Sequence, residues 1–524
     1  MEEMKRRDFL AATAGALAAA GAMAAPGGTA QTAAPAGPMP AQPARGVPLR
    51  FDASIDDCEV VGKVPADMAG AFYRVGYEWY YPPKFPDDAI LNADGYVSMF
   101  RFKGGKVDYR GRWVETHRLQ QLRKARRQLY GYYRNPYTDD PSVADATRPN
   151  LRTVANTAPV AHAGKLFALK EDGLPHQLDP NTLATLGPWD FNGKYQSQTF
   201  TAHPKLDPVS GEMISFGYEA TGLASDDLWI YTHDRAGNVR KEVRTKVPYV
   251  SVIHDMALTQ KHILIPFGGY VTSPERLKAG KVHWGWDDGK PAMIGVLPRN
   301  GEAKDMRWFK GPLRCLMHTL NAQDEKDGKI TLYAPFWDGN FFPFFPPVDG
   351  SPWNPAKARA FIRKITLDMN SRKDTWTEEI LWPTQVTDLG KVDPRVLSLP
   401  TRYAWTAWSD PSRPLDRAAI GAGAPASANN SYGRFDFATG KVDSYFAGPT
   451  HNLQEVSFVP RKGGNEGDGY LVGVAENLAE RRAELVIADA ARPADGDIAR
   501  VLLPFRISPQ VHGVWAGADE LPLT

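Results

Sequence analysis

The chain has 524 residues, 43% hydrophobic and 23% charged, ordinary globular values that exclude a mostly disordered, collagenous or coiled-coil protein. Lys and Arg number 62 against 60 Asp and Glu, a net charge of +2. No overall field therefore points to nucleic acid, and recognition must come from a local site.

The first element in the chain is a leader. Lys5-Arg6-Arg7-Asp8-Phe9-Leu10 opens an uncharged run, rich in Ala and Gly, that lasts to Ala24. Basic residues ahead of a short, mildly apolar stretch make a secretory signal, and adjacent arginines followed by x-Phe-Leu resemble a twin-arginine signal. A membrane anchor would need a longer run, richer in Leu, Ile and Val. Residues 1–24 thus read as a signal peptide, residues 25–47 as a disordered Ala/Pro-rich linker and residues 48–524 as one domain. This reading makes the twin-arginine export machinery a partner and places the protein in the periplasm or outside the cell. No other segment is long and apolar enough for a stable membrane span.

From Pro48 onward, short alternating runs recur between Gly, Asn and Asp turns, the pattern of antiparallel sheet. Expected strands are Tyr96–Phe102, Leu166–Lys170, Met213–Tyr218, Leu228–Thr232, Ala257–Pro266, Ile330–Tyr333, Ala360–Leu367, Tyr470–Val474 and Glu484–Ile487. His233-Asp-Arg-Ala-Gly-Asn and Phe435-Asp-Phe-Ala-Thr-Gly-Lys read as hairpin tips. A chain this long without a clean linker favours one closed all-β architecture, and a β-propeller removes most open sheet edges. Arg118 to Tyr130, basic and free of Gly and Pro, reads as a surface helix. Asn340-Phe-Phe-Pro-Phe-Phe-Pro-Pro cannot be a central strand; it is a packed loop or an apolar wall beside a site. Cys58 and Cys315 exclude a disulfide scaffold and a thiolate metal cluster; they either pair or are buried free thiols.

The chemistry lies with the eleven histidines. His117, His162, His176, His233, His262, His283 and His451 sit among polar or turn residues. His203, His254, His318 and His512 have small or apolar neighbours instead, as in Thr201-Ala-His-Pro-Lys and Pro509-Gln-Val-His-Gly-Val-Trp. A buried imidazole needs a partner or a metal. Composition cannot join four residues so far apart, but the inner strands of a propeller converge on its axis.

These segments resemble the carotenoid cleavage oxygenase family. The resemblance runs from about Phe51 to Trp515 through ordered blocks that include Gly70-Ala-Phe-Tyr-Arg-Val-Gly, Arg134-Asn-Pro, His254-Asp, His318-Thr-Leu-Asn-Ala, Phe458-Val-Pro-Arg and His512-Gly-Val-Trp. Tyr133-Arg-Asn-Pro-Tyr-Thr-Asp-Asp-Pro-Ser-Val and Lys170-Glu-Asp-Gly-Leu-Pro resemble the bacterial branch that cleaves lignostilbenes and isoeugenol. The resemblance implies a seven-bladed propeller with loops and short helices capping the active-site face. It also implies one Fe(II) held by His203, His254, His318 and His512. Imidazole alone suits Zn, Cu, Fe and Ni alike, so iron comes from the resemblance.

Metal-bound histidine usually passes its other N–H to a carboxylate or carbonyl. The positions matching the family's are Glu171, Asp388 and Glu455. Asp388 stands where the family has Glu, one methylene longer, and a bridging water is expected there. On the substrate side the resemblance implies a Tyr and a Lys on the 4-hydroxyl of an aromatic ring; Tyr96 and Arg127 are the candidates. Arg stays protonated, so it can stabilise a phenolate but cannot act as the base. Tyr77, Trp79, Tyr80 and Tyr81 form an aromatic loop that either stacks on the substrate or packs on a neighbouring blade. The implied reaction uses dioxygen to split the alkene bond of a 4-hydroxystilbene or phenylpropene into aldehydes. The alternatives are a carotenoid or apocarotenoid substrate and, more remotely, a non-oxygenase propeller with another metal.

Overall fold

The computed structural model describes residues 49–144, 151–421, 425 and 428–523. The leader and linker expected over 1–47 lie outside them, as does the first residue of the expected domain. Among the described residues the strands form seven main sheets arranged as the blades of a β-propeller, plus a two-stranded hairpin. Five blades are consecutive four-stranded meanders, beginning at Ala158–His162, Lys205–Leu206, Ala257–Leu258, Asn321–Asp324 and Thr387–Lys391. The other two close the ring. The C-terminal strand Gln510–Gly517 pairs with Gly70–Glu78 in the first blade, with His512 opposite Val75. The second strand of the chain, Glu59–Gly62, joins the last blade by pairing with Asp497–Leu502. Strands near both ends of the described residues thus fasten the circle.

Residue type follows position in the blade. The second strand of a blade, such as Lys329–Trp337, is buried along nearly its whole length because neighbouring blades cover both faces. Lys106–Trp113, farther out, alternates between buried and more open positions. Ile294 and Phe309 of one blade pack with Leu332, Ile365 and Trp376 of the next. The seam between blades is therefore the hydrophobic core.

Most expected strands lie inside observed ones, but Ala257–Pro266 is two: Ala257–Leu258 and His262–Phe267, joined by a turn and paired with each other. The helix runs only from His117 to Ala125, capped by the Thr116 hydroxyl accepting from Leu119 N at 3.1 Å. It stops because Arg126 turns left-handed at φ +55°. It is less of a surface helix than its composition implies: Arg118 is fully buried and donates to the side chain and carbonyl of Asn92 at 2.6 and 2.8 Å. Cys58 and Cys315 are both free and buried. No helix among the described residues is long and apolar enough to cross a membrane.

Candidate metal centre

His203, His254 and His318 each lie just ahead of the first strand of a blade, and His512 lies in the strand that closes the ring. These starting strands line the axis, so residues scattered over the chain meet there. Their ligand atoms all lie within 4.8 Å of one another. His254 Nε2 is 3.0 Å from His203 Nε2 and 3.1 Å from His318 Nε2.

Each of three rings is fixed from behind by a carboxylate. His254 Nδ1 donates to Glu171 Oε1, His318 Nδ1 to Asp388 Oδ1 at 2.8 Å and His512 Nδ1 to Glu455 Oε1 at 2.8 Å. An ionised carboxylate only accepts, so each Nδ1 carries the proton and each Nε2 presents a bare lone pair. The contact between His254 and His318 therefore sets two lone pairs facing each other, an arrangement that repels unless a cation lies between them. His512 Nε2 is buried without a hydrogen-bond partner. Ligands at right angles around an ion at about 2.1 Å would be about 3.0 Å apart, which matches the two measured spacings. The donor set fits a divalent metal ion.

The electrostatics favour the neutral, ligating form for two of the rings. Burial, reinforced by the other three rings, drives the His203 imidazole well below its ordinary pKa. Burial also lowers His512, to about 4, against the opposing pull of Glu455. For His318 burial is outweighed by Asp388, Asp255 and Glu455, and the net shift is upward. Burial would raise Glu171 and Glu455, but His254 and Lys170 hold Glu171 down, and Lys391 and His512 hold Glu455 at about 2. Both remain charged acceptors.

Asp388 reaches His318 directly, without the bridging water that its shorter side chain suggested. The reason is a bulge. Pairing with the next strand slips between Asp388 and Lys391, and Leu389 takes a left-handed φ of +57°. Gly390 follows it, close against Leu320 and Thr406, whose side chains a Cβ there would have to displace. Trp337 Nε1 donates to the other Asp388 oxygen at 2.8 Å and fixes the carboxylate.

An apolar cavity of about 80 Å³ reaches the centre, and His254, His318 and His512 form part of its wall. Phe341, Phe342, Phe344 and Phe345 line it, so the Pro-rich segment is an apolar wall. Tyr77 of the aromatic loop lines it too, while Trp79 belongs to the adjoining core and Tyr80 packs edge-on against Trp113.

Tyr96 and Arg127 do not reach this cavity. Tyr96 points into a separate cluster with Trp113 and Leu119, its hydroxyl 3.4 Å from the Phe51 carbonyl. Arg127 is 57% exposed and pairs with Asp140 at 2.8 Å. Besides the histidines, the polar side chains in the wall are Tyr77, Tyr133, Thr157, Lys170, Glu171 and Gln510, and of these Tyr133 and Lys170 form a phenol–ammonium pair. Lys170 Nζ lies 5.0 Å from the centre of the Tyr133 ring and 3.7 Å from Glu171 Oε2. Burial, with the charge of Glu171, raises the Tyr133 phenol well above its ordinary range, so it stays a donor. Sequence reasoning missed this pair, and also Trp337 and Lys391. Tyr133 and Lys170 head the two phrases that suggested the lignostilbene branch, and Lys170 adjoins Glu171, so the signal was present.

A propeller whose axis carries four histidines, three of them backed by carboxylates, is the frame of a non-haem iron enzyme of oxidative cleavage. Residues 46–517 match the family described as retinal pigment epithelial membrane protein. The chain is 40% identical over 480 residues to lignostilbene-alpha,beta-dioxygenase isozyme III of Sphingomonas paucimobilis, covering 91% of this chain and 96% of that one. It is 39% identical over 470 residues to the isoeugenol monooxygenase of Pseudomonas putida, covering 89% and 96%. The crystal structure of the Pseudomonas brassicacearum lignostilbene dioxygenase superposes with a TM-score of 0.85 at 39% identity, over 90% of this chain and 96% of that one. The protein belongs to the carotenoid cleavage oxygenase family, within reach of its lignostilbene and isoeugenol branch.

Proposed function

We propose that this protein cleaves the alkene bond of a 4-hydroxystilbene or a related 4-hydroxyphenylpropene, with the phenol oxygen held by Tyr133 and Lys170. The observation that carries this reading is the cavity: aromatic walls, three of the four histidines, and one buried phenol–ammonium pair. The relatives named for lignostilbene and isoeugenol support it.

Fe(II) held by His203, His254, His318 and His512 supplies dioxygen binding and redox chemistry when bound. The protein's own residues do the rest. Phe341, Phe342 and Phe345 exclude water and hold the ring by face and edge contacts. Tyr133, kept protonated by burial, donates to the 4-hydroxyl oxygen. The Lys170 ammonium favours the phenolate, which pushes electron density through the ring into the alkene. Glu171, Asp388 and Glu455 fix the tautomer of the imidazoles they touch. One alkene and one dioxygen balance as two aldehydes with no further reductant, one of them a 4-hydroxybenzaldehyde. The leader motif Lys5-Arg6-Arg7 supports export by the twin-arginine route, which the N-terminal sequence of the mature protein from the periplasm tests.

Oxygen uptake by iron-loaded protein on 4-hydroxystilbene, isoeugenol and a long apocarotenal tests the substrate class. Uptake on the two phenols with aldehyde formation is the expected result. Turnover of the apocarotenal alone would move the assignment to the carotenoid side of the family.

A further inference from the structure

The metal centre also adjoins a second chamber, of about 170 Å³, whose lining mixes charged and apolar side chains. His318 and His512 border both cavities, but His203 borders only this one. The chamber is charged: Lys205 pairs with Asp255 at 2.7 Å, and Lys391 pairs with Glu455 at 3.1 Å. It has contact with solvent, since the Lys391 side chain is 30% exposed. His203 is the one partly open member of the four histidines; the other three are buried. It also differs in anchoring. Among the described residues no carboxylate holds a ring nitrogen of His203, whereas His254, His318 and His512 are each fixed by one.

We propose that this polar chamber is the passage by which the hydrated metal ion enters and leaves, with His203 the ligand that gives way. A divalent ion sheds water only where other polar groups replace it, and the phenylalanine-lined cavity offers few. The polar chamber can hold the water that travels with the ion. Its two carboxylates are already neutralised by lysines, so they do not trap the ion on the way. Three anchored histidines keep the centre's shape while the unanchored one swings.

The test is metal release from anaerobic Fe(II)-loaded protein mixed with a chromophoric Fe(II) chelator. Leu397→Trp narrows the polar chamber and Leu91→Trp fills the apolar cavity. Leu397→Trp should slow release about tenfold or more, because the ion must then pass with less of its water. Leu91→Trp should leave the rate within about twofold of the parent. Pro394→Trp, at an exposed position on the same chamber, repeats the first arm if Leu397→Trp folds poorly. Slower release in Leu91→Trp alone, or equal rates in every variant, would overturn the proposal. No arm uses an alkene, so the outcome is independent of the substrate assignment.

Discussion

The metal centre and the apolar cavity share a wall but are built on different principles. In the centre the carboxylates and the three rings they hold are fixed by directed hydrogen bonds, and Asp388 alone accepts from His318, Leu389 N and Trp337. In the cavity, shape and aromatic area dominate, and a few polar side chains, Tyr133 and Lys170 among them, supply direction. Changes in the centre should therefore be nearly all-or-none and blind to substrate. Changes in the cavity should be graded and depend on which substrate is offered.

The sharpest break of that contrast is a lost ligand. His254→Ala or His318→Ala should abolish oxygen uptake on every alkene and empty the site of iron, while circular dichroism stays that of the parent. Retained iron in either variant would contradict the four-ligand centre. One step back, Glu455→Gln and Asp388→Ala should weaken iron binding or activity about 10–100-fold, again equally for all substrates. Asp388→Glu should bind iron no better than the parent, because the bulge and Trp337 already fit the shorter side chain. Metal titration of the apoprotein checks both.

On the cavity side, Tyr133→Phe should lower kcat/KM for a free phenol about 3–10-fold, the worth of one neutral hydrogen bond, and leave the 4-methoxy analogue nearly unchanged. Smallest of all, Tyr96→Phe and Arg127→Ala should stay within about twofold of the parent on every substrate. A large loss in either would return the phenol to the site that the family resemblance suggested.

The same contrast explains what could be read from the amino-acid sequence. The histidines and their carboxylates were legible because each occupies a short motif, and motifs carry over one residue at a time. Propeller architecture was legible from strand alternation and turns, though blade count came through the family resemblance. The phenol pair was not legible in its right place. Tyr96 follows a matching Asp-Gly, but strand alternation turns its ring toward Trp113, and that direction depends on how blades pack. Arg127 was expected on a helix that ends at Ala125. Asp388 misled in the other direction: its missing methylene is made up by a bulge, a backbone event that needs the register of two strands to be seen.

The central claim is that Lys170 and Tyr133 read the phenol beside the iron centre. It is tested most directly by the ratio of kcat/KM for 4-hydroxystilbene over 4-methoxystilbene, measured in the parent and in Lys170→Met with iron content matched. A buried hydrogen bond to a charged group makes the parent favour the free phenol by about 10–100-fold, and the ratio should fall toward one in Lys170→Met. A parent ratio near one, or a high ratio that survives loss of the lysine, would contradict the account.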